Sequence, residues 1–138
     1  MPEGIPYSSS NVTASTGLEL NYLGNHCYAY SGTFDAGSSF ADVLQFTTGK
    51  EYIVSTISCN GLVNPADTGP GTNSIFKIQL NSIVVAYVKV ETSNESMPSV
   101  IAIDCIIPPY TNVTVSVISD QATTAEVGSV TLTGKLYQ

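Results

Sequence analysis

The sequence predicts an all-β chain folded as a single-domain antiparallel β-sandwich, and three observations carry that prediction. Val100, Ile101, Ile103, Ile106 and Ile107 are β-branched residues in a run too short for a typical helix, which favours a strand buried on at least one face. Pro108 and Pro109 can donate no ladder hydrogen bond, so they end that run and leave Tyr110, Thr111 and Asn112 to complete a corner. Val113, Val115 and Val117 then alternate with Thr114 and Ser116, the period of a strand with one face in a core and the other in water. Elsewhere the chain repeats this habit: Val, Ile and Thr in short runs, Gly, Pro, Asn and Ser between them, and no Trp.

Taken in order, residues 1–17 form an arm rich in Pro, Ser, Thr and Gly, with Ile5, Tyr7 and Val12 as its large apolar residues. Such a segment is either a disordered leader or an extended piece that orders against a neighbouring subunit. Residues 18–138 form the sandwich domain. Leu18, Leu20 and Tyr22 alternate with Glu19 and Asn21 in a first strand, which Gly24-Asn25 turns. Cys27 to Phe34 and Phe40 to Thr47 follow, separated by a turn over residues 35–39. In the next strand Tyr52, Val54, Thr56 and Ser58 oppose Ile53, Ser55, Ile57 and Cys59. Residues 60–73, NGLVNPADTGPGTN, are too rich in Gly, Pro and Asn for regular structure. Ser74 to Leu80 and Ile83 to Val90 read as a hairpin with Asn81-Ser82 as its tight turn. After a polar break at 91–98 come the two runs around Pro108-Pro109, a turn at 120–126, and a last strand from Gly128 to Tyr137. About nine short strands without an amphipathic helix close as a sandwich or barrel. A jelly roll is the preferred sandwich, because an immunoglobulin-like one favours a Cys, Trp and Cys framework that this chain lacks.

Charge narrows the function. Four lysines and no arginine stand against eleven acidic residues, a formal net charge of -7, and no basic stripe is present to neutralise phosphates. Nucleic acid and anionic membrane surfaces are therefore not expected as partners. The N-terminus lacks the basic and apolar regions of a signal peptide and no stretch has the length of an apolar span, so a soluble protein made in a cytoplasm is expected. The N-glycosylation patterns at Asn11, Asn94 and Asn112 would then be chance matches.

Catalytic chemistry is hard to assemble. His26 is the only histidine, so a Ser or Cys nucleophile with a histidine base would have to use it. Glu19, Asp35, Asp42, Glu51 and Asp104 could supply paired carboxylates, but no spacing singles out two, and no enzyme activity is expected. Asp104 lies inside the run IAIDCII; turned inward it would need Lys77, Lys89 or a backbone amide, and the favoured placement is outward, opposite Ile103. The favoured reading of Cys27, Cys59 and Cys105 is small buried hydrophobes on three strands of a reduced protein. A zinc site of these with His26 would require distant strands to converge, and neighbours on one strand point to opposite faces; a disulfide between two of the three is the other alternative. A calcium site in residues 64–73 would have only Asp67 as a charged ligand. No cofactor or metal is expected.

Glycan binding is the small-molecule alternative. Sugars stack on aromatic faces and are held by Asn, Asp and backbone groups, and Tyr22, Tyr28, Tyr30, Asn25 and Asp35 lie close in sequence. The contacts under this reading are Tyr28, Tyr30 and Asp35. Tyrosines at a subunit contact would look the same.

The segments SIFKIQLNSIVVAYVKVE, SVIAIDCIIPPYTNVTVSV and GSVTLTGKLYQ, with their strand spacing, double proline and Gly-Xaa-Val-Thr-Leu-Thr-Gly ending, resemble the small jelly-roll proteins that decorate or cement the capsids of tailed bacteriophages and aquatic viruses. The resemblance spans roughly residues 17 to 138 and implies a structural virion protein on the capsid exterior. It implies the major capsid protein as partner, a homo-oligomer with a trimer favoured, and no catalysis. Pro2, Ile5, Tyr7 and Val12 of the arm would then contact the capsid or a sister subunit, with 60–73 and 91–98 as the rim or outer tips. The alternative is a carbohydrate- or receptor-binding jelly-roll module, such as a fibre tip or lectin-like domain.

Overall fold

The computed structural model describes residues 19–34, 39–63, 73–91, 100–119 and 127–138. Its nine strands are β1 (Asn21–Leu23), β2 (His26–Phe34), β3 (Ala41–Thr47), β4 (Tyr52–Val63), β5 (Asn73–Leu80), β6 (Ile83–Glu91), β7 (Val100–Ile107), β8 (Asn112–Ser119) and β9 (Val127–Tyr137). They form two antiparallel sheets, β1-β2-β9-β4-β7 and β3-β8-β5-β6, packed face to face as a β-sandwich. The pairings are nested: β5 with β6, β4 with β7, β3 with β8 and β2 with β9, as in one long hairpin bent at Asn81-Ser82 and then wrapped. β9 also pairs β4, and β8 also pairs β5, which completes the two sheets.

The core follows from alternation. Ile53, Ser55, Ile57 and Cys59 of β4 are buried, while Tyr52 and Val54 face outward. Opposite them Phe76, Ile78, Val113, Val115 and Val117 fill the inner face of the second sheet, with the Phe34 and Phe76 rings edge to face at 6.3 Å. At the β2 bulge between Tyr30 and Thr33, Gly32 takes a φ of 71°, open to a residue without a side chain. There the Ser31 hydroxyl accepts the Val130 amide at 2.8 Å and donates to the Gly32 carbonyl at 2.6 Å.

Two expectations need correction. Thr114 and Ser116 were expected in water but are buried, because β8 is an inner strand between β3 and β5 and its outer face is covered as well. The Ser116 hydroxyl donates to the Asp42 carboxylate of β3 at 2.7 Å. The run Val100 to Ile107 is a strand with one face on the core, Ile107 buried and Ile103 and Cys105 packed beside it, while its place at the sheet edge leaves Val100, Ile101 and Ile106 exposed. The first strand is also shorter than the alternation from Leu18 suggests, covering Asn21–Leu23, although Leu20 still packs on the core. Asn81 and Ser82 both take positive φ, 52° and 67°, the left-handed conformation a two-residue hairpin turn of the primed kind requires.

Candidate contact surface

Four connections meet at one end of the sandwich: Gly24-Asn25, residues 48–51, Asn81-Ser82 and residues 108–111. Residues 48–51 and 108–111 are bound to each other through the main chain, and the other two connections to the neighbouring strands β8 and β9. Thr48 donates its amide to the Thr111 carbonyl at 2.9 Å, Tyr110 to Gly49 at 2.8 Å, Asn81 to Asn112 at 2.8 Å and Leu136 to Asn25 at 2.8 Å. The Thr48 hydroxyl adds a further tie, donating to the Pro108 carbonyl at 2.9 Å and accepting the Thr111 amide at 2.8 Å. These bonds hold the double-proline corner against the β3–β4 turn.

From this rigid frame apolar side chains project into solvent. Leu23 is 74 % exposed, Tyr110 73 % and Ile83 68 %, and the paired Tyr52 and Tyr137 stand about half exposed beside them. Tyr110 carries a φ of 53°, a conformation that costs a residue with a Cβ of the order of 1–2 kcal/mol. The tight turn after two prolines maintains that conformation with the ring pointing away from the protein. Tyr22, also half exposed, brings its hydroxyl beside Gly49; burial first, then Cys27 and Glu51, push its phenol above the usual value. At the opposite end, the strand ends at Phe34, Val63, Glu91 and Ser119 lead into segments that lie outside the described residues.

The residues singled out from sequence divide accordingly. Pro2, Ile5, Tyr7 and Val12 of the arm, and Asp35, lie outside the described residues, as do 64–72 and 92–99; of the breaks expected at 60–73 and 91–98, residues 60–63, 73 and 91 are instead strand, in β4, β5 and β6. Tyr28 and Tyr30 come together on the outer face of the five-stranded sheet, ring centroids 5.0 Å apart and tilted by 36°. By register their neighbours on that face are Thr133 and Thr131 of β9, then Thr56 and Ser58 of β4. Asp104 points outward, as favoured, and accepts a hydrogen bond from the Thr56 hydroxyl at 2.8 Å.

The three cysteines are free thiols on the inner face of that sheet, Cys27 on β2, Cys59 on β4 and Cys105 on β7. Cys27 and Cys105 share a cross-strand row but are separated by Gly134 and Ser55, three strand spacings or roughly 14 Å, too far for a disulfide. Burial pushes the Cys27 thiol up to about 11 and Cys59 up to about 12, and raises Cys105 as well. At neutral pH all three are protonated and poor nucleophiles. His26 and Cys27 lie on opposite faces of β2, and among the described residues no three His, Cys, Asp or Glu side chains gather into a metal site.

Sequence reasoning did not pick out Leu23, Ile83 and Tyr110 as a set, since they come from three turns far apart in the chain. The double proline was the available signal, because it implied a fixed corner with Tyr110 at its tip. No protein-family model matches the chain, and no curated protein matches it significantly.

Proposed function

We propose that this chain is a structural virion protein with a jelly-roll fold, which decorates or cements a capsid from the outside by protein–protein contacts. One observation carries the reading: exposed apolar side chains, Leu23, Ile83 and Tyr110, stand at one end of the sandwich on or beside turns that main-chain hydrogen bonds tie down, Gly24-Asn25 to β9, Asn81-Ser82 to the start of β8 and the double-proline corner to the β3–β4 turn. Apolar residues on a pre-organised frame dock without the ordering cost that a loose loop would incur. Nested strand pairing supports the jelly-roll assignment, since wrapping such a hairpin gives two four-stranded sheets of this order, with β1 added at one edge.

In this reading the major capsid protein is the partner, the short-turn end seats between capsomers, and the arm with Pro2, Ile5, Tyr7 and Val12 extends onto the capsid or a sister copy. The acidic excess, net -7, keeps the decorated particle soluble. Deleting residues 1–17 leaves a folded sandwich that no longer co-sediments with expanded capsids; retained co-sedimentation removes the arm from the account. A second reading, glycan binding, is favoured by the Tyr28–Tyr30 pair beside a row of threonine hydroxyls. A glycan array separates the two, because the capsid reading predicts no bound sugar.

A further inference from the structure

The two flanks of the sandwich differ. One is edged by β1, only three residues long, and by β3, whose exposed positions Ala41, Asp42, Gln45 and Thr47 are small or polar. The other is edged by β6 and β7, nine and eight residues long, and no strand among the described residues pairs with their outer edges. Both carry apolar side chains in solvent: Ile83, Val84, Val85 and Tyr87 on β6, and Val100, Ile101 and Ile106 on β7. Tyr87 and Ile106 are each 64 % exposed.

Edge strands of soluble proteins are normally blunted by proline, by charge or by brevity. Neither β6 nor β7 contains proline, and their only charged residues are Lys89, Asp104 and, at the end of β6, Glu91. One register shift exists, between Ile78 and Gln79 of β5 opposite Val85, next to the hairpin turn; pairing from Ala86 onward is regular. We infer that the β6/β7 flank is where two copies of this chain pair, edge to edge about a twofold axis, with β6 antiparallel to its counterpart.

Area, charge and symmetry support a second copy as the occupant. Strands of this length give a flank about 30 Å long, and two sheets ~10 Å apart with their side chains make it about 20 Å wide. That is roughly 600 Å² per partner, or about 1,200 Å² in total, the lower limit of a stable specific interface. With Lys89 against Asp104 and the terminal Glu91, the flank carries only -1 of the chain's net charge of -7, so like-charge repulsion across it is small. Tyr87 is the central residue of β6, and antiparallel pairing about it sets Tyr87 beside its copy and Val85 against Lys89, with no charge facing itself. Each edge is used once, so the assembly closes at two chains rather than the three implied by the resemblance.

Light scattering on the full chain after size exclusion tests this. The expected mass is twice the 14.5 kDa of one chain, falling twofold to a single chain in Tyr87→Lys, while Gln45→Lys on the other flank leaves it unchanged. Hydrogen exchange on the unaltered chain is the second readout, with β6 amides protected at high protein concentration and losing protection on dilution. A mass of one chain or three, a pair that survives Tyr87→Lys, or β6 protection independent of concentration overturns the proposal. So does a single-chain mass that doubles only when residues 1–17 are deleted, which would place the protein's own arm on the flank. None of these readouts involves a capsid, so the proposal is tested separately from the role of the short-turn end, with which the flank shares only Ile83.

Discussion

Thr48 and Thr111 hold each other across 63 residues of sequence: the Thr48 amide donates to the Thr111 carbonyl, and the Thr111 amide returns a bond to the Thr48 hydroxyl. Both residues are buried, and the same Thr48 hydroxyl also reaches the Pro108 carbonyl. One side chain thus fixes the turn that displays Tyr110, which links the stability of the corner to the surface it presents.

Thr48→Val keeps the shape but leaves the buried Thr111 amide and the Pro108 carbonyl without their hydroxyl partner. The expected loss is about 1–3 kcal/mol of unfolding free energy, measured by urea denaturation, while Thr48→Ser retains most of it.

Gly134 is required for packing. A Cβ there would stand 2.7 Å from Ile53 Cγ2 and 2.9 Å from the Val54 carbonyl oxygen, and the backbone contact cannot be relieved by a rotamer change. Gly134→Ala is expected to cost roughly 1–3 kcal/mol, visible as a lowered Tm. This is a physical reason for the glycine that closes the Gly-Xaa-Val-Thr-Leu-Thr-Gly ending.

Alkali should weaken the fold through its buried thiols. Burial raises the folded pKa of Cys27 to about 11 and of Cys59 to about 12, above the ~8.5 of a free cysteine. Their contribution is complete below the unfolded value and is lost as pH rises through the folded ones, because the unfolded chain ionises first. Stability should fall between about pH 8.5 and 12, and Cys59→Ala should flatten that fall. At neutral pH a thiol reagent should modify Cys105 before the other two, which are fully buried.

Tyr110→Gly separates stability from contact. Glycine relieves the positive φ while adding freedom to the unfolded chain, for a net gain of about 0.5–1 kcal/mol in thermal or denaturant unfolding. Under the proposed capsid role, the same substitution removes the exposed ring and should weaken binding to capsids. A variant that is more stable and binds less well is not what a purely structural role for Tyr110 would give.

Much of the sandwich was legible because burial imposes a period of two: Ile53, Ser55, Ile57 and Cys59, and likewise Val113, Val115 and Val117, face the core as their alternation implies. The Pro108-Pro109 corner was legible because proline fixes its own φ and lacks an N–H, and the Asn81-Ser82 turn because Asn tolerates the left-handed backbone such a turn needs. Position within a sheet was not. Thr114 and Ser116 read as solvent-facing because polarity reports which face a residue points to, but not whether β8 has neighbours covering that face. That Val100 to Ile107 lies at an edge was hidden for the converse reason, since an apolar edge strand and an apolar central strand have the same composition. The candidate contact surface was hidden because the strand topology, not spacing along the chain, brings Leu23, Ile83 and Tyr110 to one end.

The most direct test is quantitative co-sedimentation of the purified protein with expanded capsids, comparing the unaltered chain with a Leu23→Ser, Tyr110→Gly double variant whose fold is verified by circular dichroism. Saturable binding by the unaltered chain, reduced tenfold or more in the variant, corresponds to about 1.4 kcal/mol or more of contact energy and is the result expected. Equal binding by both would contradict the assignment of the short-turn end as the docking surface, and no binding by either would contradict the capsid role itself.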